Sequence, residues 1–148
     1  MDFAIPHSLS EEMTDFKKFI KNRIISELPG WYQRQEIPTK FFREMGTGGW
    51  NGIGLKHGRL SRGSALREAQ IAEELAKVSP GLAVAALAHI DLGLMALFLF
   101  GSDDLKGRYG KSAAMGETLM CLGNTERSSG SDVAGIEMDA QKTKGGWR

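Results

Sequence analysis

The stretch from Leu82 to Phe100 constrains the fold more than any other part of the chain. Apart from His89 and Asp91 it is apolar throughout. A run of that length and composition either crosses a bilayer as a helix or forms the central helix of a packed bundle. Asp91 near its middle would cost roughly 2.5–3.5 kcal/mol at the centre of a membrane. No basic cluster flanks the run, so a buried helix is expected, and it should be the most buried one. Ser79-Pro80 supplies a cap and a first-turn proline, and Gly101 a stop. His89 and Asp91, two residues apart on a helix, do not share a face. They read as a core histidine with its hydrogen bonds satisfied and an aspartate at a groove.

Helical spacing continues on both sides. Ser8 with Glu11 fits a capping box, and Met13, Phe16, Ile20 and Ile24 then share a face until Leu28-Pro29-Gly30. A short helix runs from Pro38 through Phe41, Phe42 and Met45. The glycines between Gly46 and Gly54 follow a helix rather than a strand and are wrongly spaced for a dinucleotide motif, so they read as a tight turn under the bundle. From Ser64, Ile71, Leu75 and Val78 mark another helix. Ser102 caps a last one, with Asp103 and Asp104 in its first turn and Leu105, Tyr109 and Ala113 as its inner face. After residue 116, Thr118–Leu122 and Val133–Ala140 alternate as strands do. Lys144-Gly145-Gly146 reads as a turn and Trp147 as the start of a third strand. The expected fold is mainly α: an antiparallel helical bundle over residues 1–115, then the first strands of a small β domain over residues 116–148.

A net charge of +1 with interspersed acids and bases gives no basic patch for nucleic acid. Cys121 is the single cysteine, which excludes an internal disulfide framework and fits a reducing, cytoplasmic setting. It is expected to be structural, within the strand Thr118–Leu122. Met1 to Pro6 shows no basic, apolar leader pattern. No metal-ligand set is read from the chain.

The loop from Asn124 to Asp132 is rich in small and hydroxyl residues, which let backbone N–H groups turn toward an anion; Thr125 and Ser131 could add side-chain hydrogen bonds. Gly116-Glu117, Thr125-Glu126, Gly130-Ser131-Asp132 and Val133-Ala134-Gly135-Ile136 stand in one register. Upstream come Glu73-Glu74-Leu75-Ala76, Phe100-Gly101-Ser102, Lys106 and Tyr109. In this combination, from about Phe16 onward, the chain resembles the acyl-CoA dehydrogenases, flavoproteins that oxidise the Cα–Cβ bond of acyl-CoA thioesters. Arg127 stands where that family has proline, and Lys56 to Leu60 looks like a shortened form of its Tyr-Gly-Gly segment.

The resemblance implies an N-terminal helical domain plus the start of the middle β domain, with FAD as cofactor. It implies that Leu122, Gly123, Asn124, Thr125, Gly130 and Ser131 line the flavin. Thr125 would lie near the ring and Gly130-Ser131 near the pyrophosphate or the CoA side, which makes Ser131 a substrate contact as well. Residues of Ile90 to Leu97 would help select the acyl group. The family's catalytic glutamate belongs to a later region, so no residue here is assigned as catalytic and this chain alone is expected to be inactive. An acyl-CoA substrate, an electron-transfer flavoprotein as acceptor and a homo-oligomer are implied too. The alternative is a non-catalytic helical interaction module that keeps the fold without the chemistry.

Overall fold

The long apolar run is one continuous helical rod. It comprises α5 (Pro80–Leu87), a wide π turn (Ala88–Leu94) and α6 (Met95–Phe100). The Ser79 hydroxyl caps it by accepting from the Leu82 N–H at 3.2 Å, and Gly101 leaves it in extended conformation. The computed structural model describes Pro6 to Arg148; Met1–Ile5, on which the reading of the N-terminus rests, lie outside the described residues.

The rod is long and apolar enough to span a membrane, with a mean hydropathy of 2.1 over its most apolar window. Its inner face, with Leu82, Ala86, His89, Ile90 and Leu94, is core. Its outer face is open: Val84, Leu92, Leu99 and Phe100 are 66, 48, 56 and 84% exposed, and α6 buries no residue. Among the described residues this helix still holds more buried positions than any other, as expected, but its burial is one-sided. α4 (Ala65–Val78) packs along α5, and α7 (Asp103–Ala114) packs along the π turn and α6.

The first helix is longer than its sequence suggests. α1 (His7–Phe19) passes through a π turn (Ile20–Ile24) into α2 (Ile25–Arg34). The capping box at Ser8 does not form, because Pro6 takes the cap and its carbonyl accepts from Leu9 and Ser10, both at 3.0 Å. Pro29 does not stop the helix. Proline removes the bond to the carbonyl four residues back, here Ile25, and the ladder beside it has already shifted to Ile25 N–H on Ile20 O. The true end is a Schellman-type closure: Gln35 is left-handed (φ 51°), its N–H meets Tyr32 O at 3.2 Å, and the Glu36 N–H meets Trp31 O at 3.1 Å.

α3 (Thr39–Thr47) follows the extended Pro38. The glycine-rich turn then leads into β1 (Ile53–Lys56), which pairs antiparallel with β2 (Arg59–Arg62) in the register Leu55↔Leu60. His57 and Gly58 both have positive φ, 51° and 76°, as a two-residue hairpin requires. This hairpin was not expected. Ser64 and Ser102 cap α4 and α7 through the N–H groups of Arg67 and Leu105, each at 3.2 Å. The inner face of α7 is Gly110, Ala113 and Ala114, whereas Leu105 and Tyr109 are exposed. Small residues are needed there because Leu60 of the hairpin lies 3.2 Å from where a Cβ on Gly110 would be.

Phe16, Ile24, Phe41, Met45, Leu75 and Leu82 are at most 1% exposed and anchor the main core. Each such burial is worth about 1.5–3 kcal/mol.

Beyond α7 the chain departs from expectation. Thr118–Leu122 runs without a strand partner, and Val133–Gly135 is a 3-10 turn followed by irregular backbone rather than a strand through Ala140. Alternation makes a strand only where a neighbouring strand supplies the hydrogen bonds. The one pairing in this region joins β3 (Lys142–Thr143) to β4 (Gly146–Trp147), so Trp147 closes a small hairpin and does not begin a third strand.

Two backbones cross where α3 meets the end of α7. A Cβ on Gly46 would lie 2.3 Å from the Met115 carbonyl carbon, and one on Gly116 (φ 67°) 2.0 Å from Phe42 O. Gly46→Ala is expected to lower unfolding free energy by about 1–3 kcal/mol. Gly107→Ala, with nothing within 4 Å inside α7, should raise it by about 0.5–1 kcal/mol. Urea titration reads both; a Gly46→Ala midpoint equal to wild type would contradict the crossing.

Candidate functional site

Gly116 ends α7, and the chain turns back along the long helix. The N–H groups of Glu117 and Thr118 both donate to Ser112 O, at 2.8 and 3.1 Å, and Thr118 Oγ1 lies 3.0 Å from Ser112 Oγ. The segment then meets the rod at two points one turn apart. At Gly93 the backbones touch: a Cβ there would lie 2.4 Å from the Met120 carbonyl carbon. At His89 the Met120 N–H donates to Nδ1 at 3.1 Å. Both points lie in the wide turn Ala88–Leu94, a form of helix often found at functional sites.

His89 is 2% exposed. Its Nε2 lies 3.2 Å from Ala113 O, and its ring meets Phe42 edge-on with centroids 5.9 Å apart. A carbonyl can only accept and an amide N–H can only donate, so the proton sits on Nε2 and the ring is neutral. Burial pushes its pKa below the ordinary 6.5, with the Ala113 carbonyl bond pulling the other way.

The six residues expected to line the flavin all lie exposed along this one segment and the loop it enters. Leu122, Gly123, Asn124 and Thr125 follow the docked pair directly. Among the described residues, the N–H groups of Cys121 to Thr125 meet no acceptor within the protein. Gly130 faces Thr125, whose methyl would lie 3.9 Å from a Cβ on Gly130, and Ser131 follows. Arg127 is exposed beside them. The loop is braced from behind. Glu126 N–H donates to Ser129 O at 2.8 Å, the buried Ser129 hydroxyl donates to Asp132 O, and the Glu126 carboxylate accepts from the N–H groups of Glu137 and Met138 at 3.0 and 2.8 Å. Cys121, expected inside a strand, is exposed on the unpaired segment.

Sequence reasoning missed His89, Gly93, Glu126 and Ser129 as residues that shape the site. A histidine and a glycine one turn apart inside an otherwise apolar helix were the available signal for the first two. Within Ile90 to Leu97, Leu92 alone is exposed; Ile90, Gly93 and Leu94 are buried. Asp91 is half-buried, and its carboxyl is pushed up by burial and by Glu68, against the pull of Arg62. Arg62 and Glu68 pair with each other at 3.1 Å. Among the described residues, no group of three His, Cys, Asp or Glu is placed to hold a metal.

The family described as "Acyl-CoA dehydrogenase, N-terminal domain" matches residues 10–117. Benzylmalonyl-CoA dehydrogenase of Aromatoleum aromaticum is 28% identical over 148 residues, covering 99% of this chain and 39% of that protein. The FAD complex of PigA superposes with a TM-score of 0.84 at 26% identity, over 99% of this chain and 39% of that one. A glutaryl-CoA dehydrogenase from Mycobacterium smegmatis gives a TM-score of 0.82 at 26% identity, over 97% of this chain and 38% of that one. The fold is thus a helical flavoenzyme domain with the start of the domain that follows it. The chain belongs to the acyl-CoA dehydrogenase family, whose members use FAD, and it spans about two fifths of the length of these relatives.

The buried neutral His89 predicts an acid-sensitive fold. The folded state holds the ring neutral, while the unfolded chain titrates near 6.5, so at acid pH the unfolded state binds more protons. The contribution of His89 is full above about 6.5 and is lost as pH falls below it. The urea midpoint should drop between pH 7.5 and pH 5, and less so in His89→Asn. Equal drops in the two proteins would contradict this.

Proposed function

We propose that this chain carries one wall of the flavin site of an FAD-dependent acyl-CoA dehydrogenase. The supporting observation is the unpaired backbone edge from Cys121 to Thr125, held against the long helix at Gly93 and His89. Such an edge fits a flavin, whose ring margin alternates donors and acceptors and whose pyrophosphate is anionic. The Glu126 carboxylate inside the loop has both oxygens engaged by backbone N–H groups, which offset part of its charge toward an anion. Leu122 to Thr125 would follow the ring, with the Thr125 hydroxyl beside it. Gly130 and Ser131 would face the pyrophosphate or the CoA moiety, with Ser131 touching substrate. Leu92 offers an apolar contact to the acyl group.

FAD bound there would supply the hydride acceptor for oxidation of an acyl thioester. Proton abstraction is assigned to no residue of this chain. An acyl-CoA substrate, an electron-transfer flavoprotein as acceptor, assembly as a homo-oligomer and a cytoplasmic location complete the proposal. The open apolar face at Val84, Leu99 and Phe100 also fits a non-catalytic interaction module. Flavin binding separates the two readings.

Titrating the chain into FAD while following flavin fluorescence and absorbance is expected to give a saturable change. Thr125→Ala should weaken binding several-fold, as loss of about 1 kcal/mol of hydrogen bonding implies. Acyl-CoA oxidation with an artificial electron acceptor should stay at the protein-free rate. A flavin spectrum indifferent to the protein would contradict the proposal and favour the interaction module.

A further inference from the structure

We infer that His89 and Gly93 are positioning residues that aim the flavin-lining backbone; the inference rests on the flavin reading above. An extended segment in a sheet has its N–H groups oriented by the neighbouring strand. Among the described residues Met120 has no such neighbour, and the imidazole Nδ1 of His89 takes that place at 3.1 Å. Met120 is also the last residue before the edge whose N–H groups meet no acceptor among the described residues.

The ring cannot swing away. Its Nε2–H is held by Ala113 O in the last turn of α7, and Phe42 of α3 closes on it edge-first. Gly93, one turn on, sets the depth of the contact, because any side chain there would overlap Met120 and Cys121, with distances of 2.4 and 2.6 Å from a Cβ. The Nδ1 contact orients the Leu119–Met120 peptide and the Gly93 contact sets the depth of the Met120–Cys121 peptide, so two successive peptide units are held. Held there, the backbone enters Leu122 to Thr125 from a fixed point and direction. Neither residue touches the flavin in this arrangement; both act through the backbone of Met120.

Amide hydrogen exchange on the 148-residue chain tests the contact, and FAD titration tests its role. His89→Phe keeps the ring and removes the acceptor. Met120 should then exchange about tenfold faster while Leu75 and Leu82 are unchanged, and FAD should bind about tenfold more weakly. His89→Asn places an amide oxygen where Nδ1 stood and should retain most of the protection and affinity. His89→Gln reaches the Nε2 place instead and should not. Gly93→Ala, with His89 intact, should release Met120 in the same way.

Wild-type exchange at Met120 in His89→Phe would reduce His89 to a space-filler and overturn the inference. So would a uniform rise across the core in both His89→Asn and Gly93→Ala. FAD binding by the wild type with equal affinity in His89→Phe overturns the positioning role alone. No FAD binding by the wild type overturns the reading of the site on which the inference rests.

Discussion

The contact of the Met120–Cys121 backbone with the long helix at Gly93 and His89 is the constraint on which the rest of the structure depends. A backbone N–H placed against an apolar helix without an acceptor would forfeit about 1–3 kcal/mol. The helix therefore has to present an acceptor on the same face as a residue with no side chain. His89 and Gly93 do this at a spacing of one turn, in the widest part of the helix. That is why the most apolar run of the chain contains a histidine and why it faces inward.

The same contact resolves the end of α7. The last carbonyls of a helix have no partner within it. Here Ala113 O accepts from His89 Nε2–H and Ala114 O accepts from the buried Asn51 side chain at 2.9 Å. The glycine-rich turn and the long helix thus hold the end of α7 from two sides. Gly46 and Gly116 let the backbones of α3 and α7 close against each other. The Arg62–Glu68 pair and the part-buried Arg67–Glu12 pair tie the hairpin and α1 to α4. Precision at the site comes from close backbone contacts and two buried polar side chains.

What the sequence made legible and what it hid follow from range. The serine caps at Ser79 and Ser102 were readable because each acts on an N–H three residues away, whereas the one read at Ser8 lost its place to Pro6. Pro29 was misleading because the helix carries it without a break, a few residues after a π turn that leaves no sequence mark. The hairpin at 53–62 was hidden by short, largely polar strands, although His57-Gly58 was a usable turn signal. The strand readings at Thr118–Leu122 and Val133–Ala140 failed because alternation describes faces, not partners. One-sided burial of the long helix was equally invisible, since an apolar residue reads the same whether or not something covers it. The six loop residues were named through family resemblance; the structure places them exposed on one segment and the loop it enters, behind the segment's contact with the long helix.

The central claim is that a neutral His89 holds Met120 through Nδ1. Nitrogen NMR of the histidine ring at neutral pH tests this most directly. The account predicts a single tautomer with its proton on Nε2 and a hydrogen-bond coupling from the Met120 amide to Nδ1. A ring protonated on Nδ1, or one averaging between tautomers with no coupling to Met120, would contradict it.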